Sequence, residues 1–214
     1  MGGLVINTNL SSLNSQRVLE NSHRELGKSI NRISSGVKVE GATDGVGELA
    51  LSESIRSDIA ALKQGSRNVK NGTALLNLAE GALNELSGIL LRLRSLASQS
   101  ANGTLAATER ETVNLEYQAS LAEIDRIASS TEFNGTFLLK GALSKSATEH
   151  IVLQAGVDSK SVNQIDLNEL ANLGDVGTSS LGLEGSEITT QGSSFLALND
   201  LTNTIDTILD ARGR

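Results

Sequence analysis

Apolar residues recur every seven positions at Ile55, Leu62, Val69, Leu76, Leu83, Leu90 and Ala97, within a proline-free stretch from about Gly47 to Ala101. Ile59 near its start and Leu86 and Leu93 near its end lie on flanking lines. A 3.5-residue repeat lays one narrow apolar stripe along a helix, the pattern of a seam between paired helices. At 1.5 Å per residue such a helix would be about 80 Å long, which predicts an elongated rod rather than a thick globule. Gly65, Gly72, Gly81 and Gly88 interrupt it, each at a cost of roughly 0.8–1 kcal/mol relative to alanine. A broken or frayed helix is one reading of them. The other starts from spacing: Gly65, Gly72 and Ala79 also repeat every seven residues, three positions after the main line. Small residues there predict tight packing of a second helix.

The flanking segments follow from the same periodicities. Residues 1–36 read as a first helix with two short apolar stripes, Ile6, Leu10 and Leu13, then Leu19, Leu26, Ile30 and Ile33. So thin a stripe is marginal alone and calls for a partner helix. Gly36, Gly41, Gly45 and Gly47 make a joint, with Lys38–Val39 extended. Asn102-Gly103-Thr104 predicts a glycine stop to the long helix, and Thr108 with Glu111 a capping box for the next. That helix carries Val113, Tyr117, Leu121, Ile124 and Ala128 on one face. A short loop precedes it, so it should return antiparallel. Phe133-Asn134-Gly135 reads as a turn, followed by an apolar anchor at Phe137–Leu139. From His150 the period changes: Ile151–Ala155 and Val162–Leu167 predict a β-hairpin, turning at Gly156–Ser159, that caps one end of the rod. Residues 174–193, rich in Gly, Ser and Thr, predict a linker or irregular loop. A last helix follows with Leu198, Leu201, Ile205, Ile208 and Leu209 on one face. The fold class expected is mainly α: long antiparallel helices in a coiled-coil-like bundle with a small β-hairpin region.

Composition sharpens this picture. Aromatics are 2% of 214 residues, with no tryptophan and one tyrosine, which suits a thin Leu, Ile and Ala bundle. A net charge of −7 without a basic cluster argues against nucleic acid and against an anionic membrane surface. No apolar run approaches the roughly 20 residues of a bilayer span. The first twenty residues lack the basic and apolar regions of a cleaved secretory signal. Cysteine is absent. His23 and His150 have no ligand-spaced partners and read as surface residues, and Glu123 and Asp125 read as solvated carboxylates on different helix faces. No phosphate loop, nucleophile elbow, dinucleotide fingerprint or zinc-protease motif occurs, so neither an enzyme, a cofactor nor a metal is expected.

Several segments in order resemble bacterial flagellin, the subunit of the flagellar filament. They are Val5-Ile6-Asn7-Thr8-Asn9, Arg32-Ile33-Ser34-Ser35-Gly36, Ser66-Arg67-Asn68-Val69 to Asn71-Gly72, Ala79-Glu80-Gly81-Ala82-Leu83-Asn84-Glu85, Glu123-Ile124-Asp125-Arg126-Ile127 and Phe133-Asn134-Gly135. The resemblance covers about residues 4–140, and the hairpin and the last helix are similar to later flagellin segments.

The resemblance implies a division of the chain. Residues 1–45 would be the N-terminal part of an inner-core domain and its joint, and 46–176 a rod-like outer-tube domain with its hairpin at 150–168. Residues 177–193 would be a short linker where many flagellins insert variable domains, and 194–214 the start of a C-terminal rod helix. It further implies a homopolymer for motility, assembled through Ile6, Leu10, Leu13, Ile30 and Ile33. Its partners would be identical copies, the flagellar export apparatus and the filament cap. It would be extracellular, exported without a cleaved signal. Positions matching the family's patch for the innate receptor Toll-like receptor 5 are Arg92, Leu96 and Glu116, beside changed neighbours Leu91 and Ser95. At the joint, Asp44-Gly45-Val46-Gly47-Glu48 departs from the family's acidic pair followed by alanines. Flagellins continue through a further C-terminal stretch beyond the equivalent of Arg214. The expectation is therefore a truncated flagellin or a fragment that does not polymerise by itself. Alternative readings are a hook–filament junction protein, or a flagellin-like surface binder of a host receptor or polysaccharide.

Overall fold

The computed structural model describes residues 9–36 and 46–213, without the Val46 side chain. Ile6, the joint at Gly41 and Gly45 and the extended pair Lys38–Val39 lie outside the described residues. The chain forms two compact units, Met1–Ala60 and Ala61–Arg214, with the boundary inside a long helix. Long helices and small antiparallel strand pairs make up the fold, as the periodicities predict.

The first unit holds α1 (Leu10–Ser35) and the opening turns of α2 (Val46–Ser100). Asn9 starts α1 by accepting the Ser12 N–H at 3.1 Å, and Gly36 ends it with φ 66°. No α1 residue is buried.

In the second unit α2 packs against α3 (Ala107–Ser130) and α5 (Gln191–Arg212). The pairings Ser100 with Arg110, Arg92 with Glu116 and Glu85 with Arg126 descend along α2 as they ascend along α3, which fixes an antiparallel pair. The buried centre of α2 is not the predicted line. Gly65, Gly72, Ala79, Leu86, Leu93 and Ser100, also seven apart, are all buried. The predicted line flanks them: Leu83, Leu90 and Ala97 are buried, whereas Val69 and Leu76 are half-buried and Ile55 and Leu62 exposed. A helix covered from two sides buries a wider stripe than a two-stranded seam, and its centre falls between the contact lines.

The glycines of α2 divide into two kinds. The close partner of Gly65 and Gly72 is not a helix but a hairpin, β4 (Val152–Gln154) with β5 (Gln164–Asp166). A Cβ on Gly65 would overlap the carbonyl of Ala155, and one on Gly72 the Leu153 side chain. Asn68 Nδ2 donates to Gln154 O at 2.9 Å and fastens the strand to the helix. Gly81 and Gly88 face open space and α2 continues through them unbroken. Gly81→Ala should therefore stabilise the second unit by about 0.8–1 kcal/mol, read as a higher urea midpoint by circular dichroism.

Two further strand pairs were not legible in the sequence: β1 (Glu132–Phe133) with β2 (Thr136–Phe137), and β3 (Lys140–Leu143) with β6 (Leu173–Asp175). The turn at Asn134-Gly135 closes β1–β2 as a two-residue hairpin with φ 51° and 82°, which a glycine at the second position allows. A five-residue helix, α4 (Leu167–Ala171), precedes β6. The core gathers Leu86, Leu90 and Leu93 of α2 with Tyr117, Ile124, Leu138, Leu139 and Leu201. On α5 the buried set is Ser194, Ala197, Leu201, Thr204 and Ile208; Leu209, expected on the inner face, is exposed.

Candidate functional site

Polar side chains on α3 do most of the work that the sequence left unassigned. Of residues 174–193, expected as a linker or irregular loop, 176–190 form neither helix nor strand, whereas Gly174 and Asp175 belong to β6 and 191–193 to α5; the irregular part is packed rather than loose, with Leu183 and Ile188 fully buried. An irregular backbone brought against a core must have its N–H and C=O groups satisfied. Asn114 Oδ1 accepts the Ile188 N–H at 3.0 Å, and Gln118 Nε2 donates to Ser186 O at 2.7 Å. Tyr117 Oη bonds Ser186 Oγ at 2.9 Å; burial pushes this phenol up from its ordinary value, and the Ser186 bond opposes that. Asp125 is exposed, as expected, and accepts both the backbone N–H and the hydroxyl of Thr178, at 2.8 and 2.7 Å. Glu123 is half-buried and pairs with Arg126, whose hydrogen bond holds its carboxyl below the usual range.

The α2–α3 corner is closed by side chains. Arg110, buried on α3, donates to the carbonyls of Ser100, Asn102 and Leu105. Gln191 Nε2 donates to Ala101 O at 3.0 Å. These replace the expected glycine stop, for Gly103 does not take a left-handed conformation. The predicted box at Thr108 and Glu111 lies two residues too late. Glu109 Oε2 accepts the Ala106 N–H at 3.0 Å, and the helix starts at Ala107.

Beside this scaffold lies the receptor-type set. Arg92 Nε and Nη2 both donate to Glu116 Oε1, at 3.0 and 2.6 Å, across the α2–α3 groove. Both side chains are exposed, flanked by exposed Leu91, Ser95 and Leu115. Leu96 is not on that face. It is 8% exposed and belongs to the core, because it lies one turn from Leu93 on the buried side of α2. The structure thus brings Arg92 and Glu116 together and assigns Leu96 to packing.

The assembly-type set lies in the first unit. Leu10, Leu13, Ile30 and Ile33 are all exposed, Ile33 at 83%, and so are Leu19 and Leu26 between them. Leu51, Ile55 and Ile59 form a second exposed apolar face at the start of α2. Leu51 lies off the seven-residue line but shares the face of Ile55 and Ile59 by i, i+4 spacing.

Comparisons with known proteins place this framework in a family. Residues 6–144 match the family model of the bacterial flagellin N-terminal helical region. Flagellin FlaB1 of Treponema pallidum is 40% identical over 149 residues, which is 70% of this chain and 52% of that protein. A flagellin of Halalkalibacterium halodurans is 31% identical over 209 residues, 98% of this chain and 74% of that one. The crystal structure of Bacillus cereus flagellin superposes with a TM-score of 0.55 at 31% identity, covering 69% of this chain and 79% of that one. The chain spans about half to two thirds of the length of the Treponema relatives it matches. A helical framework shared at this identity, with the motifs in order, leaves one conclusion: the chain belongs to the flagellin family.

Proposed function

We propose that the chain is a structural, non-catalytic subunit of the bacterial flagellar filament, self-assembling with identical copies through the apolar side chains of α1. The observation that carries this reading is a 26-residue helix with none of its residues buried, in a chain of the flagellin family. Burying one Leu or Ile side chain gives about 1.5–3 kcal/mol, so Leu10, Leu13, Ile30 and Ile33 together supply a strong drive for a partner helix. Ile6 extends the set by sequence. Export through the flagellum's own apparatus to the cell exterior, without a cleaved signal, and addition under a filament cap follow from the same reading. Relatives named as flagellins and flagellar filament core proteins favour it over a hook–filament junction protein.

Co-sedimentation and negative-stain microscopy of the purified chain mixed with a full-length flagellin under filament-forming conditions test the reading. The wild-type chain should co-pellet with the filaments, and Leu13→Glu with Ile30→Glu should abolish co-pelleting without shifting the urea midpoint of the second unit. A wild-type chain that stays in the supernatant, or a double variant that still co-pellets, refutes assembly through α1.

A second surface supports a second reading, recognition by Toll-like receptor 5 at Arg92 and Glu116, with Leu96 acting from within by fixing the helix face. An exposed ion pair of this kind contributes only about 0–1 kcal/mol to stability, which leaves both groups available to a partner. Arg92→Ala should weaken receptor binding at least about tenfold, as an interfacial arginine does, and leave the unfolding curve within about 0.5 kcal/mol of wild type. Unchanged binding in a surface-resonance titration sinks this reading.

A further inference from the structure

We propose that His150 is a proton-operated latch: as an imidazolium it ties the loop from Lys145 to His150 to the end of β5 and the first turn of α4, and on losing its proton it releases that loop. The geometry is that of a ring between two acceptors. His150 Nδ1 lies 2.6 Å from Asp166 Oδ2, and Nε2 lies 3.3 Å from the backbone carbonyl of Lys145. Neither partner can donate: one is a carboxylate, the other an amide oxygen. A neutral imidazole carries one N–H and would turn a lone pair on one of them. Only the doubly protonated ring satisfies both.

The latch is wired into its surroundings. The other oxygen of Asp166 caps α4, accepting from Asn168 N at 2.9 Å and Glu169 N at 3.4 Å. The next residue along, Ile151, donates its N–H to Asn168 Oδ1 at 2.8 Å and accepts from Leu167 N at 3.0 Å. Asn168 is fully buried and donates to Ala142 O and Ser144 O. Two residues further, Leu153 rests on Gly72 of α2. His150 therefore sits where β4 enters the hairpin that docks on the long helix. The charged groups around it are Asp166 and Glu169, both favouring the cation, and Lys145, whose ammonium is drawn to Glu169 at 3.0 Å.

The direction of the pH response follows. The hydrogen bond to Asp166, opposed by partial desolvation and helped by the charges of Asp166 and Glu169, raises His150 above its ordinary 6.5. A group raised on folding contributes stability that is complete below its unfolded value and lost as pH climbs through the raised folded value. Asp166, held below its ordinary 3.8 chiefly by the His150 hydrogen bond, contributes above that value and loses its share as pH falls through the lowered one. The latch is closed between these limits and opens on the alkaline side.

Two measurements on the full chain test it. In ¹⁵N-detected spectra both ring nitrogens of His150 should show imidazolium shifts at about pH 6 and move together at a higher midpoint than a free histidine. Asp166→Asn, which keeps a capping oxygen on α4, should lower that midpoint. Hydrogen-exchange protection of the Ile151 and Leu167 amides, corrected for intrinsic rates, should fall several-fold between about pH 6 and pH 9 in wild type and stay level in His150→Gln. A neutral ring at about pH 6, or the same fall in protection in His150→Gln, overturns the proposal.

Discussion

Replacing Arg110 by alanine should destabilise the second unit by about 3 kcal/mol, measured as a lower urea midpoint with unchanged slope. The last four carbonyls of any helix lack partners within it, and here Ser100, at the end of α2, is fully buried. Water cannot replace the guanidinium at that carbonyl. The fork of Arg110 reaches three carbonyls from one side chain, those of Ser100, Asn102 and Leu105, and places a positive charge at the negative end of the α2 dipole. A hydrogen bond from a charged donor contributes about 1.5–3 kcal/mol, and an orphaned buried carbonyl costs about 1–3 kcal/mol, so the loss exceeds that of an ordinary surface arginine. Arg110→Lys should recover the charge but not the planar fork, and so fall about midway. A change below about 1 kcal/mol in Arg110→Ala would mean that the corner is held by Gln191 and by apolar packing alone.

Arg110 also marks where sequence reading stops. It lies on the buried stripe of α3 with Asn114, Tyr117 and Leu121, at spacings of four, three and four. Charged and amide residues at such positions look like solvated breaks in an apolar pattern. Their role depends on backbone from distant segments, the end of α2 for Arg110 and residue 188 for Asn114, and no local periodicity encodes it. Asp125 stays exposed as expected, but its partner Thr178 is hidden for the same reason, lying 53 residues away.

Elements whose signal is local were legible. The three long helices of the rod-type pattern, the antiparallel return of α3, the hairpin at β4–β5 and the turn at Asn134-Gly135 all follow from period or turn chemistry. The strand pair β3–β6 is two short segments some thirty residues apart, each too short to show alternation. The surfaces divide likewise. The α1 stripe reads directly, because a helix that buries nothing keeps its pattern in view. The receptor-type set reads only in part: Arg92 and Leu96 share a helix face by spacing alone, but the wider buried arc around Leu93 takes Leu96 into the core.

The largest backbone effect should come from Gly65→Ala, expected to destabilise the second unit by about 2 kcal/mol although alanine is the better helix former. Two terms compete. Helix propensity favours the substitution by about 0.8–1 kcal/mol, the whole of the effect expected at Gly81. Against it, the new methyl would overlap the carbonyl oxygen and carbonyl carbon of Ala155 and crowd its Cα, all main-chain atoms just after β4. A main chain cannot rotate away as a side chain does. The hairpin would have to lift, loosening the Asn68–Gln154 bond and the seat of Leu153 on Gly72. Gly72→Ala meets only the flexible Leu153 side chain, so it should cost less, about 1 kcal/mol. The three alanine variants then rank Gly81 above wild type, Gly72 below it and Gly65 lowest in urea midpoint, with hairpin amide shifts in NMR spectra for Gly65 and Gly72 alone. Stabilisation by Gly65→Ala equal to that of Gly81→Ala would show that the hairpin does not dock on α2. The seven-residue spacing of Gly65 and Gly72 would then be incidental to the fold.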